Sequence, residues 1–483
     1  MNRLASPAAG SGWTPTLVVS TIVMIAIIEA SAMGYTIVTT ALPAVTSEFN
    51  TTQGGWLLTA YTLAGAVMSP LAGKLADVHG KRKIMLGTLG VGAVGSIIAA
   101  FAPTFEVLIA GRALQGTVIA TMFLAYSLMR DVYPPRVLPM ALSVSFTGVG
   151  FFTVTMPFLV GIMLDSWGWR SLFFFDLAWI VLLAPVLMLT TAESPVRVRS
   201  RVDYAGAVLL GGGIAAVLGA VSLAQTLPGT ATAALLVVGA GLLAVFVRQA
   251  LRAGDPLVDL RVFGRKPVLL AAVTAAAAYS ATAVFSSLSP LIAMTPRSAG
   301  GDYGLGRTAL EYASVTAPQG TMLVLGGLLV GLAVRRFGPH RVMVLGLVLL
   351  GAASLLASFR HDTLGQLITA AVVVGLGSGV AYGCIPNLVV AATPADHQGS
   401  ISSMVHVFQS GFASAAPVIL FVILSTAARP APGGSGLVYS GTVMTYGLWF
   451  MAGVALLGAL LALTVLRSRA TAPAAAPEPE PTS

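Results

Sequence analysis

The sequence predicts an all-α integral membrane protein: fourteen spanning helices, built as two six-helix halves with two further helices inserted between them. Three observations lead there. Of 483 residues, 56% are hydrophobic and only 9% charged, against about 25% charged in an ordinary soluble domain. A chain with a mean hydropathy of +0.89 cannot cover a water-facing surface, so it belongs in a bilayer. Next, fourteen apolar runs each approach the roughly 20 residues a spanning helix needs. They lack strict alternation and are too long for barrel strands, and lipid tolerates only helices or closed barrels. Finally, the chain repeats itself: "GKLADVHGKRKIM" at 73–85 resembles "GLAVRRFGPHRVM" at 331–343, with Gly73, Gly80 and Met85 falling on Gly331, Gly338 and Met343. Each copy follows the second helix of its half, and parallel six-helix repeats are a transporter design.

In chain order the runs lie at 16–38, 54–74, 84–102, 105–128, 138–163 and 170–190, then 204–226 and 231–250, then 268–294, 309–334, 341–359, 363–390, 400–427 and 439–466. The expected organisation is a cytoplasmic N-terminus at 1–15, a first half at 16–190, a linker carrying the two inserted helices at 191–267, a second half at 268–467, and a disordered cytoplasmic tail at 468–483. The first run is long and is followed by many like it, so it reads as a span, not a signal peptide. The tail "APAAAPEPEPTS" is rich in Pro, Ala and Glu.

Orientation follows from the basic residues. With the N-terminus in the cytoplasm, 20 of the 26 Lys and Arg residues fall on the cytoplasmic side and five on the other, leaving Arg112 inside a run. That bias fits the positive-inside rule. The net charge of +9 is therefore loop charge and no nucleic-acid footprint. The single Cys384 excludes an internal disulfide. No G-x-x-x-x-G-K phosphate loop, H-E-x-x-H or G-x-S-x-G occurs, so neither an ATP-driven engine nor an intramembrane hydrolase is expected. The Gly run at 375–379 has no strand before it and reads as close helix packing.

The loop "GKLADVHGKRK" bridges the second and third runs. Gly73 is expected to let helices approach, Gly80 to make a tight turn, and Asp77 to face the cations Lys81, Arg82 and Lys83. A topology-setting basic loop is the plain alternative, but it leaves the Gly–x–x–x–Asp–x–x–Gly spacing unexplained. The stretch resembles the signature loop of the major facilitator superfamily, with Gly73, Leu75, Asp77, Gly80, Lys81 and Arg82 on its positions and Val78 in place of a usual basic residue. "WLLTAYTLAGAVMSPLAGKLAD" (56–77), "TIVTTALPAV" (36–45), "RVDYAGAVLLGGG" and "DPLVDLRVFGRKP" resemble segments of its fourteen-helix drug:proton antiporter branch. The resemblance covers roughly 16–467. It implies the major facilitator fold, no cofactor beyond a proton gradient, no metal, and an ion-pair latch at 73–83 that holds an outward-facing state.

"LIAGRALQGTVIA" (108–120) resembles the superfamily's motif in the fourth helix, with Arg112, Gln115 and Gly116 on its positions. An intramembrane Arg is costly, by at least about 2.5 kcal/mol on insertion scales, so it must face the bundle and find partners. It either bonds carbonyls of the first or second helix as a strut or tunes a proton relay. Glu29 is the relay's other candidate. It lies about 12 residues into the first run, about 18 Å along a helix, where a carboxyl can carry protons near neutral pH. A permanently protonated Glu29, or a fixed ion pair with Arg112, are the alternatives. Two departures stand out: the acid usual before "x-T-I-V-x-x-A-L-P" is Gly34 here, and the antiporter pattern of the fifth helix is reduced to "MPFLVG" (156–161), keeping Pro157 and Gly161.

Tyr61, Tyr126, Gln319, His406 and Gln409 are candidate cavity residues. Asn387 reads as an interhelical hydrogen bond, Glu311 as facing outer water, and Asp176 as a cap or a partner of Arg170. The expected function is proton-coupled export of amphipathic small molecules across the plasma membrane by a monomer with both termini cytoplasmic. A dedicated carrier for a lipid, siderophore or metabolite, a uniporter, or a non-transporting sensor or scaffold are the alternatives.

Overall fold

The computed structural model of the protein describes residues 12–197, 203–224, 227–254, 256–258, 260–261, 266–296, 303–359, 362–392, 398–430 and 437–470. Among the described residues, the regular structure is helical apart from one short antiparallel strand pair, called the hairpin below. Its first half comprises α1 (Pro15–Glu48), α2 (Gly55–His79), α3 (Lys81–Ala100), α4 (Phe105–Gln115), α5 (Ile119–Val132), α6 (Leu138–Trp167) and α7 (Trp169–Thr190). The inserted pair is α8 (Tyr204–Leu223) and α9 (Gly229–Arg252). The second half comprises α10 (Lys266–Met294), α11 (Ala309–Phe337), α12 (Pro339–Phe359), α13 (Leu364–Ala392), α14 (Gln398–Ser425) and α15 (Gly441–Ala470). The hairpin pairs β1 (Arg429–Pro430) with β2 (Leu437–Val438), between α14 and α15.

Every expected run lies in a helix, the fourth split over α4 and α5 by a 3-10 turn at Gly116–Val118. The expected count of fourteen spans is reached only in part: thirteen helices among the described residues are long and apolar enough to cross a membrane. The difference lies in α6, where the described apolar stretch is the shorter Phe152–Trp167. The linker segments 198–202, 225–226 and 262–265 and most of both expected termini lie outside the described residues.

Local signals explain where helices begin. Thr14 accepts from Leu17 N–H at 3.2 Å and Pro15 opens α1, since proline's missing N–H costs nothing there. Thr308 and Glu311 form a reciprocal capping box on α11. Glu311 also pairs with Arg307 at 3.3 Å. Leu189, Val208, Leu328 and Leu332 are each more than 70% exposed. Lipid, not water, suits such surfaces.

The two copies of the repeat make the same turn. Gly80 (φ +113°) joins α2 to α3 and Gly338 (φ +78°) joins α11 to α12, both in the region that favours glycine. Met85 and Met343, one turn later, are both fully buried. Gly73 corrects its expectation: a β-carbon there would meet nothing within 4 Å, so it creates no close approach. The 375–379 run does. A β-carbon on Gly375 would strike the Gln319 carbonyl, and one on Gly379 the Leu323 carbonyl. Gly375→Val is therefore expected to push α13 off α11 at a cost of about 1–3 kcal/mol, read as a lower thermal unfolding midpoint in detergent.

Within the first half α3 packs on α4 and α7, and α1 on α7; within the second α11 packs on α13, and α12 on α13 and α15. The inserted α8 and α9 pack on each other, with α8 resting on α2 and α14. The halves meet through α6 with α11, α2 with α14, and α1 with α10. Hydrogen bonds join them at the ends remote from the basic 73–83 loop. Both Asp165 carboxylate oxygens accept from the α11 N-terminus, Oδ1 from Ala309 N–H at 2.9 Å and Oδ2 from Leu310 N–H at 2.8 Å. Thr59 Oγ1 donates to the Ser414 carbonyl. Gly161 sits one turn before Asp165, and a β-carbon there would come 2.7 Å from Leu310 Cα. Its lack of a side chain lets α6 lie against the α11 backbone.

Candidate functional site

Arg112, on α4, is fully buried. Its Nε donates to the Leu57 carbonyl at 3.1 Å, Nη2 to the Gly34 carbonyl at 2.8 Å, and Nη1 to Gln115 Oε1 at 2.7 Å. The guanidinium also lies 4.3 Å above the centre of the Tyr61 ring, a favourable cation–π geometry. Arg112 and Gln115 share a face because they are three residues apart on a helix, and Leu57 and Tyr61 because they are four apart. Gly116 follows, and a β-carbon there would strike the Tyr61 carbonyl, so glycine lets α2 close over the network. Tyr61 donates its hydroxyl to the Ser31 carbonyl at 2.6 Å.

Gln115 passes the interaction on. Its Nε2 donates to Asp176 Oδ2 and to Ser96 Oγ, both at 2.9 Å, and Ser96 Oγ donates to the same carboxylate oxygen at 2.6 Å. Asp176 is 4% exposed. One network thus ties α1, α2, α3, α4 and α7. The expected Asp176–Arg170 pairing is overturned: Arg170 instead pairs with Glu48 at 2.6 Å. The stretch "WGWR" (167–170) runs into the first turn of α7 and places Arg170 at that helix end, where Glu48 ends α1, while Asp176 lies almost two turns further along α7.

Glu29 stands apart. It is 2% exposed, its Oε2 has no hydrogen-bond partner, and it makes no ion pair among the described residues. The fixed Glu29–Arg112 ion pair considered from sequence is not formed, because the guanidinium is committed to Gly34, Leu57 and Gln115. Position 34 is also closed to a side chain: a β-carbon there would lie 2.7 Å from the Tyr61 hydroxyl. The acid the resemblance places there has no room in this packing.

The 73–83 loop does not make the expected pairs. Lys81 is bound to Asp131, whose carboxylate also accepts from Ser194 Oγ. Arg82 donates from Nη1 to the Thr191 carbonyl at 2.6 Å, and its backbone N–H and that of Lys83 are held by Glu193. Asp77 is half-buried and has no hydrogen bond or ion pair among the described residues. The cations reach α5 and the segment after α7 because a helix starts at Lys81 and carries them away from Asp77.

Of the candidate cavity residues, Tyr61 is buried in the Arg112 network. Tyr126 is half-buried on α5, and Gln319 half-buried on α11. Pro157 lies inside α6. Gln409, on α14, is 4% exposed. The His406 side chain lies outside the described residues. Sequence reasoning missed Tyr279 and Tyr382, whose rings stack at 4.0 Å with planes 21° apart. It also missed the role of Asp165. A polar aromatic in the middle of an apolar run was the available signal for the tyrosines.

The sequence profile of the Major Facilitator Superfamily matches residues 24–417 and again 289–483. An uncharacterized MFS-type transporter of Mycobacterium tuberculosis is 30% identical over 72% of this chain; the match covers 51% of that relative, so the chain spans about half its length. The multidrug efflux pump LfrA of Mycolicibacterium smegmatis is 30% identical over 77% of this chain and 74% of its own. Among solved structures, the crystal structure of the peptide transporter POT superposes with a TM-score of 0.69 over 97% of this chain and 98% of that one. At 14% identity that likeness speaks for the fold alone. The sequence profile and the shared fold lead to one conclusion: the chain belongs to the major facilitator superfamily of multi-pass membrane transporters.

Proposed function

We propose that the protein is a proton-coupled exporter of amphipathic small molecules, of the fourteen-helix drug:proton antiporter branch, acting as a monomer by alternating access. Glu29 carries the proton. The observation that carries this reading is a carboxyl buried in α1 with one oxygen unpartnered and no ion pair among the described residues, a group whose cheapest state in lipid is the protonated one. Ionisation becomes affordable only when the opening of the bundle admits water, which is what a carrier of protons requires. The efflux activity in the name of the mycobacterial relative supports the export direction.

With the basic loops cytoplasmic, the plasma membrane holds both termini inside, and the closure at Asp165 and Ala309 lies at the outer face. The halves are then 16–190 and 268–467, and the 73–83 loop is the gate of the opposite, outward-facing state, where Asp77 would find the partner it lacks here.

The test is accumulation of a fluorescent cationic dye in cells expressing wild type or Glu29→Gln, with and without a protonophore. Wild type is expected to lower accumulation several-fold, the protonophore to abolish that, and Glu29→Gln to match the empty vector. Wild-type export that ignores the protonophore sinks the coupling, and an active Glu29→Gln variant sinks the site. The closed position 34 favours a second reading, a dedicated carrier for one endogenous compound. A drug-susceptibility panel on a deletion strain separates the two.

A further inference from the structure

Arg112 and Asp176 are the two buried ionic groups of one network, and neither touches the other. Gln115 stands between them, accepting from Arg112 at 2.7 Å and donating to Asp176 at 2.9 Å. No Lys or Arg bonds Asp176 directly; its partners among the described residues are Ser96 and Gln115. Arg112 has no other carboxylate in its network. We propose that Asp176 is the counter-charge of Arg112, acting through Gln115, and is thereby a positioning residue for Glu29. This inference rests on the proton-carrier reading of Glu29.

The route to Glu29 runs through α1. Arg112 holds the Gly34 carbonyl, five residues beyond Glu29, which is about 7.5 Å along the helix. While Asp176 balances Arg112, the cation exerts little net field on Glu29, and the carboxyl can take up and release its proton. Without Asp176, Arg112 is an unbalanced cation in a low-dielectric bundle, and Glu29 is the nearest carboxyl on the helix it already holds. A unit charge about 12 Å away at an effective dielectric constant of 20 changes proton binding by about tenfold. The sign is fixed: a cation favours the ionised carboxyl, so more acid is needed to load it. Of the ionisable groups carried by α1, by α4 and by the helices packed on α1 and α7, those away from the helix ends, besides Glu29 and Asp176, are Tyr61, Arg112, Tyr35, Tyr126 and Tyr279. The remaining ones sit near helix ends. Of these groups, Arg112 alone is a cation, so it alone could favour the ionised form of Glu29.

The experiment measures the pH dependence of dye export in proteoliposomes for wild type, Asp176→Asn, Asp176→Glu and the double variant Arg112→Gln/Asp176→Asn. Thermal unfolding of the same set, with Arg112→Gln added, is followed in detergent. Asp176→Asn is expected to move the export midpoint about one pH unit toward acid. Asp176→Glu should keep the wild-type midpoint. The double variant should return toward it and lose less stability than the two single variants' losses added together. An unshifted midpoint in Asp176→Asn, or losses of stability that simply add in the double variant, overturns the proposal. If wild-type export is itself indifferent to pH, the proton-carrier reading fails. The unfolding cycle, which needs no transport, then decides the counter-charge on its own.

Discussion

Arg112→Leu is expected to leave a protein that inserts but does not hold its first half together. The substitution strands two backbone carbonyls, Gly34 and Leu57, together with Gln115 Oε1 and the Asp176 charge behind it. Breaking a buried pair by removing one partner costs about 3–5 kcal/mol because the other charge stays buried. That is a large share of the 5–15 kcal/mol that separates a typical folded domain from its unfolded state. Arg112→Lys is expected to recover little. An ammonium cannot span three acceptors on three sides as the guanidinium fork does. Detergent-extracted yield and a fluorescence-detected size-exclusion profile read the effect. A sharp, wild-type-like peak for Arg112→Leu would show that the network holds nothing.

Asp165→Ala is expected to open the far end of the bundle without harming the fold. Both carboxylate oxygens take backbone N–H groups from the first turn of α11, and the negative charge also faces the positive end of that helix dipole. Hydrogen bonds to a charged group are worth about 1.5–3 kcal/mol each, and each 1.4 kcal/mol shifts a two-state equilibrium about tenfold. Losing the pair should therefore shift the balance between closed and open states by at least tenfold. Asp165→Asn should fall between, since an amide offers one acceptor where the carboxylate offers two. Cys384 is the sole cysteine and is buried, so a reporter is simple to build. Ala313→Cys, one turn below the contact and 1% exposed, is placed in a Cys384→Ser background and alkylated with a maleimide in detergent. The Asp165→Ala version is expected to label at least tenfold faster. Equal rates would mean that the contact does not hold the halves closed.

The two residues also illustrate what could be read in advance. An Arg inside an apolar run announces its own need for partners, because no bilayer site tolerates it alone. The reading that it bonds carbonyls of the first or second helix is matched at Gly34 and Leu57. What the run could not announce is that its charge is balanced from α7. Asp176 sits 64 positions after Arg112, and its nearest charged sequence neighbour, Arg170, is spent on Glu48. Asp165 carried no signal at all. An acid near a helix end is usually solvated, and only the arrival of α11 gives this one two backbone donors.

Composition, run length and the repeated glycine turn by themselves determined the all-helical membrane fold and the order of its helices, and the 73–82 and 108–120 motifs carried the resemblance to the family. These properties are local: lipid forces each apolar segment to satisfy its own backbone, and the turns at Gly80 and Gly338 depend on backbone conformation alone. The tertiary structure alone decided which buried charges meet. It committed Arg112 to a network with Asp176, left Glu29 without an ion pair among the described residues, filled the space at Gly34 with Tyr61 and turned Lys81 toward Asp131. Pairing inside a bundle is set by rotations of helices about their own axes. A difference of one residue in sequence turns a side chain by about 100°, so spacing along the chain fixes the face a residue shares with its neighbours, while packing fixes what that face meets.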